Sequence, residues 1–344
     1  MLIKSIAFDA YILPWRSPLQ TARGEMQCRE GFIIQAIADG GWVGYGETAP
    51  IDGFGMESLA RAAIVLQHLQ EILIDIEINS FRDIPASLNH FLDHVFSQYG
   101  HCPAVRHGLE LALLDLWSKY EQRSLPHLLI HYLGGEIREP KVNAVIGAIA
   151  PDLAAIRAEH FVKQGFDCLK IKVGSADFAD DWQRVRAVRS RVGAEIQIRI
   201  DANQAWSVPE AIAHLKQLAS LDIEYVEQPV AAVDLAGMAE VRRSQPILVA
   251  ADESVNSLEQ LHNAIALQAA DIIIIKPMVI GGILTAHEAA TIAHAANLDV
   301  VITTTLDGQI ACQAAIDLAS TLPIYRACGL STHHLAINYS KDIF

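Results

Sequence analysis

Cys168-Leu-Lys-Ile-Lys-Val173 is an apolar run interrupted by two lysines at alternate positions. Alternate side chains of an extended strand share a face, so Lys170 and Lys172 project together and Ile171 opposes them. The apolar flanks predict a largely buried strand. Two ammonium groups side by side in poor solvent each favour the neutral amine, and a lysine moved toward neutrality can act as a base near pH 7. The plainer alternative is an edge strand whose lysines face water. The sequence downstream decides between them.

After Pro140 the chain alternates strand and helix patterns. Strands are predicted at 142–147, 168–173, 196–201, 223–227, 247–252, 272–276, 300–304 and, more weakly, 327–331. Amphipathic helices fall between them at 151–164, 178–192, 209–219, 234–244, 258–267, 282–295 and 310–318. Most of these strands are apolar without alternation, as parallel strands buried on both faces are. The pattern predicts an α/β fold, a (β/α)7β TIM-like barrel. A doubly wound open sheet is the other architecture in view. It carries a Gly-rich phosphate loop after its first strand, and Gly147-Ala-Ile-Ala-Pro151 is not one.

The charges within this pattern point to chemistry. Asp201, Glu227, Asp252 and Lys276 each end a predicted strand, at separations of 26, 25 and 24 residues, one βα unit apiece. The C-terminal ends of barrel strands converge on one face, where active sites lie. Three carboxylates thus aim at one spot, with Lys170 and Lys172 on one side and Lys276 on the other. They cannot all stay ionised in a partly buried mouth without a counter-charge. A divalent cation supplies it, and oxygen-only ligation favours Mg²⁺, with Mn²⁺ second. A helix N-cap explains any one acid alone; it does not explain three at one-unit spacing between lysines.

The N-terminal part reads differently. Strands are predicted at 2–13, 32–38 and 42–47, with a hairpin turn at Asp39-Gly40-Gly41. Helices follow at 57–73, 84–96, 103–120 and 125–133, with Pro103 in a first turn and Gly134-Gly135 as a stop. This predicts an α+β domain over 1–130, the barrel over 131–325, and the last strand and C-terminal tail over 326–344. Residues 14–31 are expected to form a long polar loop, a candidate lid or specificity loop.

Composition bounds the rest. The chain has 344 residues, 51% of them apolar, which allows a large core and two domains and excludes a disordered chain. A net charge of −14 argues against nucleic acid and anionic membrane as partners. Cys28, Cys102, Cys168, Cys312 and Cys328 are odd in number and lack a CxxC, as expected of reduced intracellular thiols. Residues 1–9 show no signal-peptide layout, and the most apolar run, 271–284, contains Lys276 and is too short to span a bilayer. A soluble cytoplasmic protein acting on a small-molecule carboxylate is expected, its oligomeric state open.

Lys170-Ile-Lys172, Asp201-Ala-Asn203, Glu227-Gln-Pro229, Asp252-Glu-Ser254 and Lys276-Pro277 with Gly281-Gly282 resemble, in order and spacing, the motifs of the enolase superfamily in its muconate-lactonizing subgroup. The resemblance implies a capping domain on a (β/α)7β barrel. It implies metal ligation by Asp201, Glu227 and Asp252, a catalytic base at Lys172 with Lys170 as its electrostatic partner, and Lys276 on the opposite face of the substrate. Asn203 and Glu253 match supporting or substrate-contact positions. Thr305 and Asp307, within Thr303-Thr-Thr-Leu-Asp-Gly-Gln309, are further candidate substrate contacts.

The subgroup includes muconate cycloisomerases, dipeptide epimerases, N-acylamino acid racemases and o-succinylbenzoate synthases. Dipeptide epimerases carry a paired-acid DxD near the seventh strand end, where this chain has Asp307 alone. Pro18-Leu-Gln-Thr-Ala-Arg-Gly24, Arg29-Glu-Gly31 and Phe54-Gly-Met-Glu57 resemble the synthases; Gly44-Tyr-Gly-Glu-Thr-Ala-Pro50 is shared across the subgroup. The synthase resemblance departs at the seventh strand, where many of them have a Ser-rich segment. The expected reaction is the Mg²⁺-dependent dehydration of 2-succinyl-6-hydroxy-2,4-cyclohexadiene-1-carboxylate in menaquinone or phylloquinone biosynthesis, with Lys172 removing the α-proton. The alternative is a racemase or epimerase of N-acylated amino acids or dipeptides, with Lys172 and Lys276 each handling a proton. A non-catalytic barrel used as a scaffold predicts a lost ligand or lysine, and none is lost.

Overall fold

The computed structural model describes residues 2–21, 24–77 and 84–331. Residues 332–344, the expected C-terminal tail, lie outside them. The N-terminal sheet has four strands, β1 (Leu2–Thr21), β2 (Gly24–Ala38), β3 (Val43–Thr48) and β4 (Ile76–Glu77), in the order β3-β2-β1-β4. The turn into β3 needs glycine, since Gly40 and Gly41 have φ of 78° and 84°. Four helices follow: α1 (Leu59–Ile72), α2 (Ile84–Phe96), α3 (Pro103–Tyr120) and α4 (Leu125–Leu133). The last three coincide with their predicted spans.

Residues 14–21 and 24–31 are strand, not loop. β1 continues to Thr21 and pairs with β2 in a long antiparallel hairpin. Pro14 offers no N–H, and the register breaks between Pro14 and Leu19 before pairing resumes through Thr21↔Gly24. Trp15 and Arg29 are buried inside this stretch. The polar composition that suggested a loop belongs to an edge strand carrying a proline and to solvent-facing positions.

Helix α3 is buried nearly all round, because sheet and barrel cover it from both sides. Gly44 and Gly46 let β3 lie against it: a Cβ on Gly46 would stand 1.9 Å from the Gly108 carbonyl oxygen, and one on Gly44 2.1 Å from that of Ala112.

The barrel strands are β5 (Ala144–Ile146), β6 (Cys168–Lys172), β7 (Gln197–Asp201), β8 (Ile223–Glu227), β9 (Leu248–Ala251), β10 (Ile272–Ile275) and β11 (Asp299–Ile302). They form one parallel sheet in sequence order. The eighth position is filled by the segment around Cys328, which bridges Val142↔Cys328 on one side and Thr303↔Gly329 on the other. Gly329 is required there, since a Cβ would stand 2.3 Å from Thr303 Oγ1. The weak expectation of a last strand at 327–331 thus reduces to two bridges that close the barrel.

Helices α5 (Pro151–Lys163), α6 (Phe178–Val192), α7 (Val208–Leu218), α8 (Leu235–Ser244), α9 (Leu258–Ala266), α10 (Pro277–Ile280), α11 (Ile283–Ala295) and α12 (Gln309–Thr321) pack outside. No helix among the described residues is long and apolar enough to cross a membrane.

Two carboxylates from the N-terminal domain join it to the barrel. Glu47, at the end of β3, accepts from the N–H groups of Gly308, Ile310 and Ala311 at the start of α12, at 2.6, 3.1 and 3.1 Å. Glu110 of α3 accepts from Leu284 N at the start of α11, 3.0 Å away. Each acid lies against a glycine: a Cβ on Gly308 would meet Glu47 at 2.3 Å, and one on Gly282 would meet Glu110 at 2.3 Å. A helix N-terminus offers free N–H groups and positive potential, so both contacts are favourable.

Candidate active site

Pleating places Lys170 and Lys172 on the barrel interior and buries Ile171 on the helix side. Parallel pairing sets Lys170 level with Arg199 and Lys172 level with Asp201. Asp201 and Glu227 are the last residues of β7 and β8, and Asp252 and Lys276 directly follow β9 and β10. A spacing of one βα unit along the chain thus becomes proximity at one mouth.

Lys170 Nζ donates to Glu227 Oε1 and Oε2 at 2.9 and 3.1 Å and stands 3.4 Å from Asp201 Oδ2. Lys172 Nζ donates to Asp201 Oδ2 and Asn203 Oδ1, each at 2.6 Å. Lys276 Nζ donates to Asp252 Oδ2 at 2.7 Å. Asn203 Nδ2 donates to Glu253 Oε1 at 3.1 Å and links the third barrel strand to the fifth. Asp201, Glu227 and Asp252 are all buried.

The titration shifts follow this arrangement. Burial pushes Asp201 up, but Lys172 and Lys170 outweigh it and hold the acid well below the usual carboxylate range. Glu227 is raised, by burial first and then by the negative charge of Asp201. Burial pushes Lys170 down, but Glu227 and Asp201 push it further up, so it stays charged. Lys276 is likewise raised, through Asp252 and Glu253, against its burial. The sequence reading had the lysine pair repelling toward neutrality. At Lys170 this is overturned, because the strand next door supplies the carboxylates that a single strand does not show.

Backbone strain marks the same mouth. Asn203, Gln204, Gln228 and Leu306 have φ of 42°, 69°, 39° and 60°, a region side-chain-bearing residues seldom occupy. Gln228 is paired throughout: its Oε1 accepts from Asp252 N and Ser254 N at 3.0 and 3.2 Å, and its Nε2 donates to Val230 O and Ser254 Oγ at 3.0 and 2.7 Å. It therefore fixes where Asp252 begins. Gln228 and Ser254 sit inside the quoted motifs, but their work as a splint between β8 and β9 was not read from sequence.

Thr305 and Asp307 lie on the loop between β11 and α12, where the charge of Lys276 reaches Asp307. Asp307 accepts from Thr305 N and Oγ1 at 3.1 and 2.5 Å, closing its own loop. Arg29 comes from the N-terminal domain to donate through Nε to Leu306 O at 3.0 Å, and its charge opposes the rise that burial imposes on Asp307. Sequence reasoning left Arg29 inside a quoted motif without a role; only the fold brings β2 to this loop.

The donor set suits a divalent cation. Asp201, Glu227, Asp252 and Glu253 bring four negative charges; Lys170, Lys172 and Lys276 bring three positive ones. Should Lys172 act as a base it is neutral, and two negative charges are left over. Glu253 Oε2 is buried with no hydrogen-bond partner among the described residues. As arranged, the ammonium groups stand between the acids, and no three His, Cys, Asp or Glu side chains among the described residues are gathered closely enough to hold an ion. Oxygen-only ligands at this charge fit Mg²⁺.

Comparison with known proteins agrees with this geometry. Residues 7–129 match the family described as "Mandelate racemase / muconate lactonizing enzyme, N-terminal domain", and residues 153–343 match "Enolase C-terminal domain-like". The L-Ala-D/L-Glu epimerase of Bacillus subtilis is 32% identical over 93% of this chain and 86% of its own length. The N-succinyl-L-Arg/Lys racemase of Bacillus cereus is 28% identical over 100% of this chain and 90% of its own. An o-succinylbenzoate synthase of Thermobifida fusca is 36% identical, over 56% of this chain and 60% of its own. Among solved structures, the Enterococcus faecalis dipeptide epimerase complexed with Mg and L-Leu-L-Tyr superposes with a TM-score of 0.89 at 28% identity, covering 98% of this chain and 92% of that one. The B. cereus racemase gives 0.90 at 28% identity, covering 100% and 92%. Two matched domains in order, on a barrel whose strand ends carry these lysines and acids, show that the chain belongs to the enolase superfamily.

Proposed function

We propose that the protein is a racemase or epimerase of N-acylated α-amino acids, dipeptides included, moving a proton at the carbon next to the carboxylate. One observation carries this: Lys172 and Lys276 stand on opposite sides of the mouth. β6 is the second and β10 the sixth of eight positions around the barrel, half-way round from each other. A carbon held between them meets one amine per face. Inversion needs that arrangement, since one group removes the proton and the other delivers one from behind.

Lys172, the most exposed of the three lysines, takes or gives the proton on its face, oriented by Asn203. Lys276 does the same from the other face, with Asp252 as its partner. Lys170 stays protonated against Glu227 and lends fixed positive charge. Asp201, Glu227 and Asp252 would hold Mg²⁺. When bound, the ion supplies the positive charge that stabilises an ene-diolate, as enolase-superfamily sites in general require. The loop of Thr305 and Asp307, with Arg29, shapes the neighbouring wall.

The long-coverage relatives support this reading: an L-Ala-D/L-Glu epimerase and an N-succinyl-L-Arg/Lys racemase, alongside a dipeptide epimerase complexed with Mg. The o-succinylbenzoate synthase expected from the N-terminal motifs is kept as the second reading, supported by the T. fusca relative over part of the chain. Incubation with Mg²⁺ in D₂O separates the two. Given N-succinyl amino acids and dipeptides of known configuration, the protein is expected to yield the other configuration with deuterium at the α-carbon. Inert amino acid derivatives together with rapid dehydration of the cyclohexadiene carboxylate would put the synthase in its place.

A further inference from the structure

Arg184 and Asp181, both on α6, form a buried ion pair that the chemistry above does not use. Asp181 gathers the loop that leaves β6. Its Oδ2 accepts from Gly174 N and Ser175 N at 2.7 and 2.9 Å, and its Oδ1 from Ser175 Oγ and Arg184 Nη1, both at 2.6 Å. Arg184 Nη1 also donates to the backbone carbonyl of Lys172 at 3.1 Å, and its Nε to the carbonyl of Ile149 at 2.6 Å. Gly174, at φ +99°, has room for no side chain: a Cβ would stand 2.6 Å from that of Ala205.

Desolvation offsets most of the attraction in a buried ion pair, and well-packed apolar residues of similar volume often serve stability as well or better. What apolar residues cannot do is hold particular carbonyls and amides at particular points. One of those carbonyls is that of Lys172. The others, the carbonyl of Ile149 and the amides of Gly174 and Ser175, belong to the loops that leave β5 and β6.

We propose that Asp181 and Arg184 are a positioning pair for Lys172, fixing its backbone so that its amine reaches Asp201, Asn203 and the substrate. The effect is one-sided. Lys276 is served by a separate set, since Arg106 Nη1 donates to Gly281 O at 2.6 Å and Glu110 receives the start of α11. The activity arm of the test rests on the two-lysine reading; the labelling arm does not.

The test uses the full chain with Arg184→Met and the milder Arg184→Lys, each checked for folding by circular dichroism and thermal melting. In the first arm, lysines are labelled with an acylating reagent across a range of pH and read by mass spectrometry without substrate. Labelling of Lys172 is expected to change several-fold in Arg184→Met while Lys276, in the same sample, stays as in the wild type. In the second arm, each enantiomer of an N-succinyl amino acid is incubated in D₂O with Mg²⁺. Exchange of one enantiomer is expected to fall about a hundred-fold through kcat, as an ångström-scale misplacement does. The other enantiomer should hold its rate, and Arg184→Lys should fall between. Unchanged Lys172 labelling in a folded variant overturns the proposal, as does an equal loss on both enantiomers. Should Arg184→Met not fold, Arg184→Lys is read by the same criteria. Should the wild type exchange neither enantiomer, the racemase reading fails and the labelling arm alone decides this one.

Discussion

Lys170 Nζ lies 2.9 and 3.1 Å from the two oxygens of Glu227, so the first lysine of the pair is bound to an acid two strands away rather than free to act as a base. The division of labour between Lys170 and Lys172 follows. One is sequestered as fixed charge, and the other reaches further into the mouth.

The two proton carriers should be separable. Lys172→Ala and Lys276→Ala are each expected to lower inversion by a factor of about 10³ or more, roughly 4 kcal/mol of barrier. Each should still exchange the α-proton of one enantiomer, and a different one in each variant. NMR of the α-proton in D₂O reads this directly. Loss of all exchange in both variants would argue for a single base.

Removal of the cation should silence the protein reversibly. Dialysis against EDTA is expected to abolish turnover, and Mg²⁺ to restore it. Asp201→Asn, Glu227→Gln and Asp252→Asn should each remain inactive at any Mg²⁺ concentration. A readout independent of activity is thermal stability, which ought to rise in the wild type by about 3 kcal/mol near a hundred-fold excess of Mg²⁺ over its dissociation constant. Full activity after EDTA treatment would overturn the metal assignment.

Two buried groups of α3 should impose opposite pH slopes on stability, which offset each other between pH 4.5 and 6.5. Burial, with Arg106 adding to it, pushes His107 from 6.5 down to about 3. The unfolded chain then binds a proton that the folded one refuses, so stability falls as pH drops below 6.5. Burial pushes Glu110 from 4.5 up to about 7, against Arg106 and the amides of α11. The folded state keeps a proton that the unfolded chain releases, so stability falls as pH rises from 4.5 to 7. That span is worth roughly 3 kcal/mol by linkage. Urea denaturation of Glu110→Gln should lose this alkaline slope, so that the wild type weakens relative to the variant across the window. Parallel curves would show that Glu110 is not the group responsible.

Arg29 should matter for substrate fit more than for chemistry. Its Nε holds the carbonyl of Leu306, a residue at φ 60° whose strain needs support. Arg29→Met is expected to raise KM about ten-fold and alter the order of preference among substrates, with kcat changed less. Steady-state kinetics over a panel of dipeptides and N-succinyl amino acids would check this; an unchanged preference would remove the N-terminal domain from specificity.

Much of this was written in the local sequence. Lys170, Lys172, Asp201, Glu227, Asp252 and Lys276 could be placed because strand pleating and the βα repeat are periodic, and periodic patterns survive in one dimension. The pairing of 14–21 with 24–31 is not legible in the sequence, because it depends on a partner strand and a register break beside a proline, neither visible in composition. The state of Lys170 was misjudged for a related reason: its charge is set by Glu227, 57 residues away. Arg184 and Asp181 were unreadable, since on a helix rich in charge nothing separates a buried Arg from a solvated one.

Glu47 and Glu110 make the two domains hard to part. A barrel expressed without its first domain would leave the starts of α11 and α12 bare, each next to a glycine hollow. A first domain expressed alone would expose one face of α3. Calorimetry of the intact chain should therefore show one melting transition, and domain-exchange chimeras should fail unless both acids and both glycines travel together.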